Sequence, residues 1–151
     1  MNLLKVFLLS MVPLIEQRGA IPMGVILFNI NPWMVFIVSL VGSFVPAPFI
    51  YLCFNAIFAW MKKIKFLRKF TDFIDKKVQN GSKKLEKYKE IGLITFVGIP
   101  LPTTGLWTGT AIAAFMGLDF KKSMACVFLG GIISAIIITV LSVVAPKILG
   151  F

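Results

Sequence analysis

Glu16 and Arg18 are the only charged side chains between Lys5 and Lys62. They lie in residues 13–24, PLIEQRGAIPMG, with apolar sequence on both sides. A single charge at the centre of a membrane helix costs roughly 2.5–3.5 kcal/mol on insertion scales, so such a pair needs a reason. The Arg18 guanidinium is a planar fork of donors suited to a phosphate or a carboxylate. Glu16 suits proton coupling, because a carboxyl taken out of water holds a proton more readily. Two residues apart on a regular helix, the side chains point to different faces. An unwound turn, framed by Pro13, Gly19, Pro22 and Gly24, lets them meet each other or a third group. Two readings stand. One is a substrate or proton site in a polar cavity. The other is an ion pair that locks the turn, or a turn that reaches the lipid head groups.

A second uncharged stretch has a similar centre, GIPLPTTGLWTG at residues 98–109. Its hydroxyls at Thr103, Thr104 and Thr108 can cap a broken helix or bond a ligand. Pro100 and Pro102 keep it from being continuous helix. Gly105 and Gly109 form a small-xxx-small pair that lets helices approach closely. Trp107 is either an interfacial anchor or a ligand platform. Glu16, Arg18, Thr104, Trp107 and Thr108 are therefore the candidates for substrate or proton binding. Pro13, Gly19, Pro22, Pro100, Pro102, Gly105 and Gly109 are the candidates for shaping the two tips. Asp119 reads as an N-cap or a surface charge. The chain has no histidine, and its two cysteines, Cys53 and Cys126, sit in apolar runs. Both read as small buried hydrophobes without metal spacing. No nucleophile–base pair, glycine-rich phosphate loop or carboxylate dyad is present, so neither an enzyme nor a cofactor is expected.

The rest of the chain must position these residues in lipid. Of its 151 residues 58% are hydrophobic, and its mean hydropathy is +0.93. Soluble domains average about 45–50% apolar residues, so the excess is read as facing a bilayer. The net charge is +10. Most of it falls in residues 62–90, where eleven Lys or Arg oppose four Asp or Glu, a net of +7. Such a block marks the cytoplasmic side and attracts anionic lipid. No nucleic-acid motif accompanies it, so no nucleic-acid partner is expected. The start, MNLLKVFLLSMVPLI, lacks a small-x-small cleavage site and reads as part of the mature protein.

Residues 33–60 and 123–145 are uncharged and long enough to span. Residues 6–30 and 91–118 are as long but broken near their centres. Each half is too short to cross, so each reads as a re-entrant hairpin. Hairpin and span then occur twice, with Gly19 and Gly105 86 residues apart and Gly42 and Gly130 88 apart. With 62–90 cytoplasmic, the hairpins enter from opposite faces. The expected fold is all-α: one membrane domain of two inverted repeats, with tips facing near the midplane as in many transporters. Residues 62–90 read either as an amphipathic helix on the inner leaflet or as a solvated loop.

At both tips the sequence resembles the small multidrug export protein family. The first family motif, close to E-x-R-G-A-I-P-x-G, is met by Glu16, Arg18, Gly19, Ala20, Ile21, Pro22 and Gly24. The second, close to P-L-P-G-T-G-A-W-T-G, is met by Pro100, Leu101, Pro102, Thr104, Gly105, Trp107, Thr108 and Gly109. Thr103 replaces a usual Gly and Leu106 a usual Ala, which makes the second tip bulkier. The family is similar to the wider DedA, or VTT, superfamily, whose members pair re-entrant hairpins, and some of which move polyprenyl phosphates or phospholipids. The resemblance implies a multi-pass protein of a bacterial inner membrane. Three functions stay open: a proton-coupled transporter or exporter of an anionic or small-molecule substrate, a lipid flippase or scramblase, and a non-transporting scaffold among membrane lipids. Four short segments enclose little volume, so a homo-oligomer is expected.

Overall fold

The computed structural model describes residues 1–64, 72, 76, 83–101 and 104–150. Among them the secondary structure is entirely helical: α1 Asn2–Met11, α2 Glu16–Pro22, α3 Pro32–Phe44, α4 Ala47–Lys63, α5 Lys83–Gly98, α6 Leu106–Phe115 and α7 Phe120–Leu149. Pro102 and Thr103, and most of the basic stretch expected to be amphipathic, lie outside the described residues.

Local chemistry explains the boundaries. Asn31 caps α3 by accepting the Trp33 N–H at 3.0 Å, and Pro32 occupies the first turn, where a missing N–H costs nothing. The hydrogen-bond ladder is interrupted at residues 45–46 between α3 and α4, where Pro46 has no N–H to donate. Pro22 ends α2, and a π-helical turn, Met23–Leu27, follows. There the Phe28 N–H reaches five residues back to the Met23 carbonyl at 3.0 Å.

Two stretches are long and apolar enough to cross a membrane, Pro32–Lys63 and Phe120–Ile148, and they contain the two spans expected from sequence. Their outward faces expose Trp33, Ile37, Phe49 and Leu52 on one and Leu129, Ile136, Val140 and Leu141 on the other. A soluble monomer rarely leaves so large an apolar surface open. In a bilayer those faces need no further cover.

The element order repeats: helix, break, helix, short turn, long helix. The Lys5 ammonium lies 5.9 Å from the centroid of the Phe28 ring, so the start of α1 is beside the end of the α2 segment. Lys89 donates to the Met116 carbonyl at 3.4 Å, so the first half of α5 is beside the end of α6. The halves also exchange arms: α2 packs on α7, and α6 packs on α4. One buried cluster gathers Val6, Ile21, Val35 and Ile138; another gathers Leu93, Val97, Leu106 and Val127. Small residues allow this density. A Cβ on Gly130 would stand 2.7 Å from that of Val97.

The buried Tyr51 hydroxyl ties α4 to the turn before α7 by donating to the Leu118 carbonyl at 2.5 Å, with its ring edge-on to Phe120. Tyr51→Phe keeps the ring and leaves that carbonyl only the longer bond from the Ser123 hydroxyl, at 3.3 Å. It should lower unfolding free energy in detergent by about 1 kcal/mol, read as a reduced melting temperature with unchanged helical circular dichroism.

Several expectations need correction. Gly19 and Pro22 lie inside α2, and the first break is at residues 12–15, before Glu16. The helix tolerates Pro22 because the wider π turn follows at once. Cys53 is exposed, whereas Cys126 is buried as expected. Cys53 faces outward on α4, where lipid takes the place of a protein core. Asp119 sits at the N-cap of α7 without a side-chain capping bond. The helix of the second broken segment already covers Lys83, ahead of the expected start at 91, and Lys122 lies 3.4 Å from both Glu86 and Glu90 beside it.

Candidate functional site

The start of α2, just after the first break, meets the second break, and each of its two charges is seated on a helix end there. The Glu16 carboxylate is 3% exposed. Its Oε2 accepts the Leu106 N–H at 3.0 Å and its Oε1 accepts the Trp107 N–H at 2.9 Å. These are unpaired donors of the first turn of α6, where the helix dipole is positive. Gly105, the N-cap of α6, has no side chain to do this, so the cap comes from the other half of the chain. A Cβ on Gly105 would overlap the Glu16 carboxylate, so glycine is what lets the acid reach the amides.

Arg18 serves the opposite pole. Its guanidinium donates to the carbonyls of Val97 at 3.2 Å and Ile99 at 3.3 Å, and to those of Leu101 and Thr104. It also donates to Thr104 Oγ1 at 3.0 Å. These acceptors are the last carbonyls of α5 and the chain just beyond, where the dipole is negative. Thr104 Oγ1 itself donates to the Ile99 carbonyl at 2.7 Å and braces the loop. Glu16 and Arg18 form no ion pair with each other; each answers a helix end.

The first break is bent to present them. Leu14 has φ +75° and Glu16 φ +44°, both left-handed. Each costs a side-chain-bearing residue about 1–2 kcal/mol. The two amide bonds to Glu16 hold it in that conformation. Gln17, between the two charges, is fully buried and donates through Nε2 to the Gly131 carbonyl of α7 at 2.9 Å. Sequence reasoning missed Gln17. Its signal was its polarity inside the same apolar stretch.

A cavity of about 340 Å³ lies over this junction, lined by Pro13, Leu14, Glu16, Arg18, Ile50 and Trp107 among others. Exposed Thr108 is on its wall. A second hollow shares Ile50, Phe54 and Trp107 and continues along α4 past Pro46, Phe49 and Cys53. The space therefore has a charged floor and an apolar flank. Trp107 Nε1 and Arg18 Nε are buried donors with no partner among the described residues.

Of the sequence candidates, Pro13, Glu16, Arg18, Gly105, Trp107 and Thr108 come together at the cavity. Thr104 lies behind it as a brace. Pro100 shapes the second break without lining the cavity. Gly109 packs on Val97, where a Cβ would overlap the valine side chain. No group of three metal-ligating side chains occurs among the described residues.

A family model described as "Putative small multi-drug export protein" matches residues 16–137. The chain belongs to this family. The match opens at Glu16, just after the first break, and takes in the second break, most of the cavity lining and most of both long helices. No curated protein and no solved structure matches the chain. Family membership and the outward apolar faces together make this a membrane protein of an export family, with a transport role.

Proposed function

We propose that this export-family protein is a transporter for an amphipathic molecule, with its site in the cavity over Glu16, Arg18, Trp107 and Thr108. Its coupling carboxyl is Glu16. One observation carries the reading: Glu16 lies at the cavity and also holds the N-terminus of α6, which belongs to the other half of the chain. A proton on Glu16 removes the charge facing that helix end and weakens two charge-assisted bonds. Proton uptake is thereby linked to separation of the two halves. The halves are inverted repeats in a multi-pass inner-membrane domain of a bacterium, each with a re-entrant hairpin. The packing of α1 against the end of the α2 segment, and of α5 against the end of α6, supports this layout. Such a layout puts both tips near the midplane, as in many transporters.

The test is flux of a lipophilic dye in proteoliposomes with and without a pH gradient. Wild type should respond to the gradient, and Glu16→Gln should show only gradient-independent leakage. Gradient-driven flux through folded Glu16→Gln would remove Glu16 as the coupling group. The flank along α4 favours a second reading, a flippase or scramblase whose substrate tails stay in lipid while the head crosses at Arg18. A labelled phospholipid in the same vesicles separates the two. Its movement without a gradient supports a scramblase. Movement of neither probe by folded protein leaves the scaffold.

A further inference from the structure

A second groove lies away from the proposed transport cavity, at the end of the bundle formed by the turn before α3 and the last turns of α7. Two hollows, of about 550 and about 460 Å³, share Asn31, Pro32 and Val143. The first is the polar one, with Asn29, Asn31, Ser142 and Lys147 on its walls. The second is apolar and runs between Trp33 and Phe36 on α3 and Ile136, Val140 and Val144 on α7.

We propose that this groove binds one anionic membrane phospholipid, its head at Lys147 and Asn29 and one acyl chain between Trp33 and Val140. Three features select this occupant. First, polarity changes along the groove in the order found along a lipid. Lys147, an exposed cation, stands at the polar end, and beyond Val143 the walls are almost wholly apolar. Second, the polar end offers acceptors as well as charge. Pro146 has no N–H to give the Ser142 carbonyl four residues before it. Hydroxyls of a glycerol head group can donate there while the phosphate meets Lys147. Third, Trp33 is 74% exposed at the mouth, on the first turn of a membrane-spanning stretch. Indole rings favour that head-group level. A second copy of the chain would bring another apolar helix face, which answers neither Lys147 nor the Ser142 carbonyl.

Tryptophan fluorescence tests this. The full chain is reconstituted in phosphatidylcholine vesicles, and a lipid with brominated chains is titrated in as a quencher. Trp33→Phe separates the share of Trp33 from those of Trp60 and Trp107. Brominated phosphatidylglycerol should quench the Trp33 share at a mole fraction about fivefold lower than brominated phosphatidylcholine, the ratio that one Lys near an anionic surface supplies. Lys147→Gln, at an exposed position, should erase the difference. Equal quenching by the two lipids in wild type would overturn the proposal and leave only unselective annular lipid. Trp33 fluorescence that neither lipid quenches, in a chain that crosslinks as a dimer, would overturn it too and assign the groove to a second copy.

Discussion

Gly105→Ala is expected to cost about 3–5 kcal/mol, the range for a buried charge that loses its partner. The methyl group would occupy the position of the Glu16 carboxylate itself. If Glu16 turns away toward the cavity, the start of α6 loses its cap. Glu16 must give up the Leu106 and Trp107 amides, and both amides then sit at a buried helix start without an acceptor. The unfolding midpoint in detergent should fall sharply, and gradient-driven flux should disappear with it. Gly92→Ala is the control. Nothing lies within 4 Å of a Cβ at that exposed helical position, so it should be neutral or stabilising by up to about 1 kcal/mol. A double-mutant cycle with Glu16→Ala isolates the cause. Once the carboxylate is gone, the second methyl should cost much less than it does alone. Additive losses would mean that Gly105 matters for reasons other than seating Glu16.

The two long helices were legible because their signal is composition over many residues: uncharged runs of 28 and 23 positions, from 33 to 60 and from 123 to 145. The two breaks were legible from proline and glycine. The charges were legible as an anomaly, since an acid and a base in an apolar stretch demand partners. Their partners were not. Glu16 binds main-chain amides of Leu106 and Trp107, and Arg18 binds main-chain carbonyls, and neither kind of group leaves a mark in a sequence. The two halves, some 86 residues apart at Gly19 and Gly105, had to be brought together before helix ends could be seen as counter-charges. The location of the first break was misjudged for a related reason. Pro22 looks like a helix breaker, but a π turn absorbs it, while the strained residues Leu14 and Glu16 carry no sequence signal of left-handed backbone. Gln17 and Ser10 were not singled out as buried polar groups, although both are polar inside apolar runs. The Gln17 side chain ties α2 to the Gly131 carbonyl of α7, and Gly42 closes on Ser10 from α3.

Arg18 decides how much of this junction is structure and how much is ligand site. Its planar guanidinium has five N–H donors, and the acceptors around it are four carbonyls and the Thr104 hydroxyl. Arg18→Lys keeps the charge on the negative end of α5 but offers only three donors from one point. Arg18→Ala removes both. The Ile99 and Leu101 carbonyls keep bonds from the Leu101 and Thr104 amides, so the main loss falls on the part-buried Val97 and Thr104 carbonyls, at about 1–3 kcal/mol for each left without a donor. The expected order of melting temperatures in detergent is wild type, then Arg18→Lys, then Arg18→Ala, with the last step the larger because the dipole term goes too. Flux should follow the same order. A lysine variant as stable as wild type would mean that charge alone suffices and the fork is incidental. An alanine variant that keeps its stability but loses flux would reverse the assignment. The carbonyls would then not depend on Arg18, and the guanidinium would be held there for an anionic group of the substrate.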